Sequence, residues 1–277
     1  MAAASAIWGA TFVASKVVLA VVPPFALVAG RFALAWLLLR LVMRWRGIAA
    51  VPWRQAWIPL LLGTVGMVIS IGAQFIGTDL TSASQGALVT SAAPALMALF
   101  AAVILGERLL PLHVASIGIA TAGVVLVTGI GGSGFHLLGH GALAVAATTW
   151  ALYSVLTRWA CRHYDPMVLL AGACGWGALL ALPFARWDWP VVRLLEPAIG
   201  GSVVFIALGA TVLAFLLWSW GCARLPARVG GLFMFVQPVV GTGLAAWLLG
   251  EMPAWTLYAG GALILAGVAL AQRTDQA

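Results

Sequence analysis

Charge is the scarcest thing in this sequence. Its 277 residues hold 14 Lys and Arg and only seven Asp and Glu, 8% charged in all. Soluble domains carry roughly 25%, because a globule in water must cover much of its surface with polar groups. A secreted globule, a cytosolic enzyme and a disordered chain are excluded on that ground. Cysteine is almost as rare. Cys161, Cys174 and Cys222 are odd in number and show no CxxC spacing, so they read as small apolar packing residues rather than a disulfide frame or a metal site. No Asp or Glu falls near the middle of any apolar stretch. Such a carboxylate is the device by which a proton-driven antiporter exchanges protons for cationic drugs, and its absence argues against that mechanism.

What fills the chain instead is hydrocarbon: 64% hydrophobic residues and a mean hydropathy of +1.09. Crossing a bilayer takes about 20 apolar residues in a helix. Ten such stretches are predicted, at 2–20, 24–43, 56–78, 82–105, 110–130, 138–158, 166–186, 197–220, 228–249 and 253–271. They are apolar on every face, without the two-residue alternation of a β-barrel. The first stretch lacks a basic leading segment and carries Lys16 late, so it is read as a helix rather than a signal peptide. The net charge of +7 lies in short gaps between stretches, which points to membrane orientation and not to nucleic acid. With a cytoplasmic N-terminus, ten arginines from Arg40 to Arg273 fall inside and only Arg186 and Arg193 outside. The positive-inside bias therefore places both termini in the cytoplasm.

The chain repeats itself. Residues 86–107, GALVTSAAPALMALFAAVILGE, align without a gap on 230–251, GGLFMFVQPVVGTGLAAWLLGE. Pro94 meets Pro238, and Leu105-Gly106-Glu107 meets Leu249-Gly250-Glu251. Trp8 and Lys16 match Trp150 and Arg158 at one spacing, and Pro24 and Gly30 match Pro166 and Gly172. Two halves of five helices each enter the membrane from opposite sides, because five is odd. That is an inverted repeat, as in many secondary transporters. The expected division is 1–130, a linker at 131–137, and 138–277.

The block "ARLPARVGGLFMFVQPVVGTGLAAWLLGE", preceded by Phe215, Trp218 and Trp220 and followed by a small-residue helix, resembles the EamA domain of the drug/metabolite transporter superfamily. The opening "AIWGATFVASK" and "ALVAGRFALAWLLLR" look like that family's first two helices. The resemblance covers nearly the whole chain. It implies an all-α polytopic protein of ten transmembrane helices in two inverted repeats, located in a bacterial inner membrane. It further implies export of small metabolites, amino acids above all, with a small-molecule substrate, lipid contacts and no cofactor. A monomer or weak homodimer fits this reading.

A proline in mid-helix frees a backbone carbonyl, and in lipid that group survives only against protein or a wet cavity. Pro94 and Pro238 are so placed, with Ser84, Gln85, Thr90 and Ser91 beside the first and Gln237 beside the second. Gln85, Ser91, Pro94 and Gln237 are accordingly expected around a mid-depth cavity, although serine and threonine also bond to their own helix. Trp8, Trp150, Tyr153, Trp218 and Phe233 occupy helix middles and read either as cavity walls or as packing between helices. Gln74 is expected at the outer vestibule. Lys16 and Arg31, the charges inside the first two helices, either snorkel to water or face the vestibule, drawing a substrate carboxylate or pairing with Asp79. Glu107 and Glu251 suit the N-termini that follow them.

Enzyme motifs are missing. HLLGH at 136–140 lacks the glutamate of HExxH, and neither a Walker loop nor a nucleophile elbow occurs. The alternatives left open are a lipid-modifying membrane enzyme and a carrier for other solutes such as drugs or sugar phosphates.

Overall fold

The computed structural model describes residues 1–90, 93–106, 111–128, 136–224, 233–234, 236–250 and 255–273. The regular elements among them are helices, and no strand occurs among the described residues. The first helix, α1, is Ala2–Leu19, and α2 is Pro24–Trp45. Helix α3 runs through Trp57–Leu62, Gly63–Ser70 and Ile71–Leu80. The fourth predicted stretch is helical over α4, Ala83–Thr90, and α5, Ala93–Leu105. Then come α6, Pro111–Thr128, α7, Leu137–Ala160, and α8, Pro166–Ala181. Helix α9 runs through Pro197–Val204, Phe205–Leu213 and Ala214–Arg224. It is followed by α10, Val236–Leu249, and α11, Trp255–Arg273. Among the described residues, five helical stretches are long and apolar enough by themselves to cross a membrane.

Local chemistry sets the helix ends. Pro24, Pro166 and Pro197 stand in the first turn of their helices, where a missing N–H costs nothing. Asp165 caps α8 by accepting from the Met167 N–H at 2.8 Å. His136 caps α7, its Nδ1 accepting from the Gly139 N–H at 3.1 Å. The HLLGH pair therefore starts a helix, and the described residues contain no cluster suited to a metal. Gly106 and Gly250 have φ of +70° and +66°. This left-handed conformation stops a helix and favours glycine, which gives the recurring Leu-Gly-Glu a physical reason. The glutamates of that motif, Glu107 and Glu251, lie outside the described residues.

Two expectations shift. The stretch at 166–186 leaves α-geometry after Ala181 and closes with a 3₁₀ turn, Leu182–Phe184, because Pro183 has no N–H to continue the ladder. The stretch at 56–78 extends to Leu80 and contains a π segment, Gly63–Ser70. A second π segment occupies Phe205–Leu213 in α9. Gly63 and Phe205, where the two begin, are as far apart in sequence as Trp8 and Trp150, so the halves share this irregularity too.

The packing repeats with the sequence. Helix α1 lies on α10, and its counterpart α7 lies on α4 and α5. Helix α3 lies on α7, and correspondingly α9 lies on α1. Helix α2 pairs with α8, and α6 with α11. Exchanging the halves leaves this set of pairs unchanged, as a two-fold relation requires. Small residues permit close crossings. A Cβ on Gly123 of α6 would stand 2.6 Å from the Gly260 carbonyl of α11, so these two helices pack backbone to backbone. The main core gathers Trp8, Phe32, Phe75, Trp150 and Phe215 at the centre of the bundle. Leu37, Leu41, Val103, Val239 and Trp247 are exposed, as expected where hydrocarbon is the outer solvent.

Candidate functional site

The π segments shape the centre. At the end of such a segment the bonding step changes from i−5 to i−4, and a carbonyl is left without an intrahelical partner. In α9 the Ala214 N–H still donates to Gly209. The next carbonyl, that of Ala210, accepts from the indole Nε1 of Trp8 at 3.0 Å. The Thr211 hydroxyl donates to the Ile206 carbonyl, five residues back, at 2.8 Å. The same Thr211 oxygen accepts from Arg31 Nε at 2.8 Å. A widened turn in the second half thus holds Trp8 and Arg31 of the first.

Around them lies a cavity lined by Trp8 and Thr11 of α1, Arg31 of α2, and Ser70, Ile71 and Gln74 of α3. Thr90, Ala146, Trp150, Phe215, Met234 and Gln237 complete it. One wall is an aromatic cluster. Trp8 meets Trp150 edge to face, with centroids 5.3 Å apart at 81°, and Phe215 at 5.3 Å and 78°. Such pairs contribute about 0.5–1.5 kcal/mol beyond the area they bury. The cavity holds about 30 Å³, room for a water or two and far less than a metabolite site needs.

Arg31 is the charge in this site. It is only 4% exposed, and its guanidinium carbon stands 5.0 Å from the Phe32 ring centroid and 5.5 Å from that of Phe75. No carboxylate pairs with it among the described residues. The described acids lie elsewhere, at helix ends or in a loop. Asp188 pairs with Arg186 at 2.7 Å and Glu196 with Arg193 at 2.7 Å, on an exposed loop. The neighbouring guanidinium holds each of these two carboxyls below its ordinary range. Asp165 caps α8, and Asp79 closes α3.

Of the residues singled out in the sequence, Trp8, Gln74, Trp150 and Gln237 come together at the cavity, with Arg31. Tyr153 and Trp218 stand behind it, packed on Trp150 at 5.2 Å and on Trp8 at 5.2 Å. Gln85 does not line it; its backbone N–H donates to Ser82 Oγ in the first turn of α4. Phe233 is half-buried and leaves the lining to Met234. Ser91 lies outside the described residues, as does the side chain of Pro94. Lys16 is half-buried and pairs with backbone carbonyls rather than with a carboxylate. Its Nζ donates to the carbonyls of Thr78 at 2.9 Å, Asp79 at 2.7 Å and Thr81 at 2.9 Å. It thereby neutralises the negative end of α3, and its partner at Asp79 is the backbone, not the carboxylate. Sequence reasoning missed Thr11, Ser70 and Thr211. Thr11 follows Trp8 by three residues and Ser70 precedes Gln74 by four, helical spacings that place each pair on one face. Thr211 had no such signal, because a π turn breaks the period.

Changing Trp8 to Phe keeps the aromatic wall but leaves the Ala210 carbonyl buried without a donor. The expected cost is about 1–3 kcal/mol, read as a lowered melting temperature in detergent. Trp150→Phe is the control, since the Trp150 indole makes no hydrogen bond to a described residue, and it should melt nearly as the parent does.

An apolar bundle built twice, with its polar groups gathered around a buried mid-bundle cavity, has the architecture of a membrane transporter. Comparison with known proteins names the kind. The model of the EamA-like transporter family matches residues 1–129 and 137–272, and the chain belongs to that family. It is 32% identical over 263 residues to the aromatic amino acid exporter YddG of Ancylobacter novellus, covering 90% of this chain and 88% of that one. It is 29% identical to a probable amino-acid metabolite efflux pump of Salmonella typhimurium, covering 95% and 90%. A solved crystal structure superposes with a TM-score of 0.72 at 30% identity, over 99% of this chain and 95% of the other. The protein is a multi-pass membrane transporter of the drug/metabolite exporter type, not an enzyme.

Proposed function

We propose that the protein exports amino acids, those with aromatic or bulky apolar side chains foremost, across the inner membrane by alternating access. The observation that carries this reading is Arg31, a buried guanidinium at the edge of an aromatic cavity with no carboxylate to balance it among the described residues. Burying an uncompensated charge costs several kcal/mol, so the site is completed by an anion that arrives with the substrate. A carboxylate meets the planar fork of an arginine in two parallel hydrogen bonds. The amide oxygens of Gln74 and Gln237 suit the ammonium group of a zwitterion, and the faces of Trp8 and Trp150 suit both a cation and an apolar side chain. The resemblance to an aromatic amino acid exporter agrees with that assignment.

The cavity is too narrow for such a substrate in this conformation. Loading then requires the repeats, divided at 131–137, to move apart on one side and close on the other. The π segments of α3 and α9 border the cavity and are natural places for such bending.

Reconstituted liposomes test the reading. Labelled tryptophan and phenylalanine should equilibrate faster than in protein-free vesicles, and the amides of the same amino acids should not. Equal rates with and without protein, across both amino acids and other metabolites, would remove the proposal. Orientation has its own measurement. Reporter fusions after residues 45 and 273 should report a cytoplasmic location, and a fusion in the 185–196 loop a periplasmic one.

A further inference from the structure

A second cavity system lies on the outside of the bundle, in the seam between α2 and α8, away from the substrate site. Its upper part, about 540 Å³, runs past Gly30, Ala33 and Trp36 on one side and Gly175, Trp176 and Leu179 on the other. Its middle part, about 200 Å³, shares Trp36, Gly172 and Trp176 with the first and adds Arg40 and Met43. Its lower part, about 510 Å³, leaves α8 and continues between α2 and residues 48–50; it shares Trp36, Arg40 and Met43 with the second and adds Arg44. The three form one groove, apolar for most of its length and basic at one end.

Its dimensions are those of one lipid leaflet. From Gly30 to Arg40 a helix rises about 15 Å, half the thickness of a bilayer's hydrocarbon core. Its floor is lined by glycines and is open at Gly30. Gly172 and Gly175 are small because Pro59 and Trp36 press on them, with a Cβ at 2.6 Å and 2.7 Å from those side chains. Gly30 has no such reason, since a Cβ built there meets nothing within 4 Å. Arg40 and Arg44 are exposed and unpaired among the described residues, and the acid at that end of α8, Asp165, is turned into its helix cap. We propose that this groove is a binding site for an anionic phospholipid. One acyl chain lies along Gly30 to Trp36, and the phosphate sits on Arg40 and Arg44, in the inner leaflet under the orientation given above. Two arginines near the surface each favour an anionic headgroup by about fivefold, together about thirtyfold. A second copy of the chain is the competing occupant; it would bring its own Arg40 and Arg44 toward a cationic seam.

The experiment uses the full-length protein in detergent micelles, titrated with phosphatidylglycerol or phosphatidylcholine and followed by native mass spectrometry and melting temperature. Phosphatidylglycerol should be retained as a discrete adduct and raise the melting temperature, about thirtyfold in preference to phosphatidylcholine. The double variant Arg40→Gln, Arg44→Gln should lose that preference. Gly30→Leu should fill the groove and lose the adduct while melting no lower than the parent in lipid-free micelles. Equal retention of the two lipids overturns the proposal, as does an undiminished preference in the double variant. A dimer that Gly30→Leu dissociates, with no lipid adduct, also overturns it and assigns the seam to the second copy.

Discussion

Arg31→Gln is expected to end transport of carboxylate-bearing substrates while leaving a protein at least as stable as the parent. The two halves of that result come from one geometry. With the cavity empty, the guanidinium is a nearly buried cation whose described partners are a hydroxyl, Thr211, and the faces of Phe32 and Phe75. Desolvating such a charge is costly when no opposite charge repays it. Glutamine removes that cost and still offers an N–H to Thr211, whose own hydroxyl remains bonded to Ile206. With substrate bound, the balance reverses. Deleting one partner of a buried, hydrogen-bonded charge pair costs about 2–5 kcal/mol, a loss of well over tenfold in transport efficiency. Arg31→Lys should recover part of the activity, because the charge returns without the two-pronged fork. The discriminating measurement is the rate for tryptophan against that for its amide, in parent and variant liposomes. The parent should prefer the acid, and the glutamine variant should show little preference. A variant that melts well below the parent, or that still prefers the acid, assigns Arg31 a packing role instead.

How much of this was legible in the sequence depends on which physical rule was at stake. Apolar length and punctuation are local, and the helices fall near their expected places. The repeated Leu-Gly-Glu was legible as a repeat, and its cause, a left-handed glycine at Gly106 and Gly250, is a property of one residue. Trp8 and Trp150 could be picked out by mid-helix position and Gln237 by its polarity beside Pro238, whereas Gln74, expected at the outer vestibule, lines the cavity itself. Tyr153 and Trp218 met the same criteria yet back the wall, because facing is decided by helix rotation, and apolar residues on every side leave rotation unspecified. Lys16 shows a different limit. Three carbonyls at the end of α3, which hold it, carry no mark in the sequence, whereas the Asp79 carboxylate does, and the eye goes to the wrong atom. The π segments were not legible at all. A wide turn costs intrahelical bonding and persists here through contacts such as Trp8 to Ala210, made between residues of opposite halves.

Those contacts depend on how closely α1 approaches the second half, and this leads to the other large expected effect. A Cβ on Gly9 would stand 2.6 Å from the Gln237 carbonyl, 3.0 Å from Val240 Cβ and 3.1 Å from the Gly241 N. Two of those three atoms are backbone and have no rotamer by which to yield. Gly9→Val should therefore push α10 away from α1 as a unit, at a cost of about 3 kcal/mol. It should also displace Gln237 from the cavity, since that residue lies in the displaced turn. Both stability and transport should fall together, in contrast to Arg31→Gln, where they part. Gly141→Ala is the internal control. Gly141 is also helical, but a Cβ there meets nothing within 4 Å, so alanine should stabilise by about 0.5–1 kcal/mol through backbone entropy alone. Melting temperatures and tryptophan flux of the two variants decide the matter. A Gly9→Val protein with unchanged melting would mean that the helices have slack at their crossing, and the aromatic wall built on Trp8 would then have to be held by something other than this close approach.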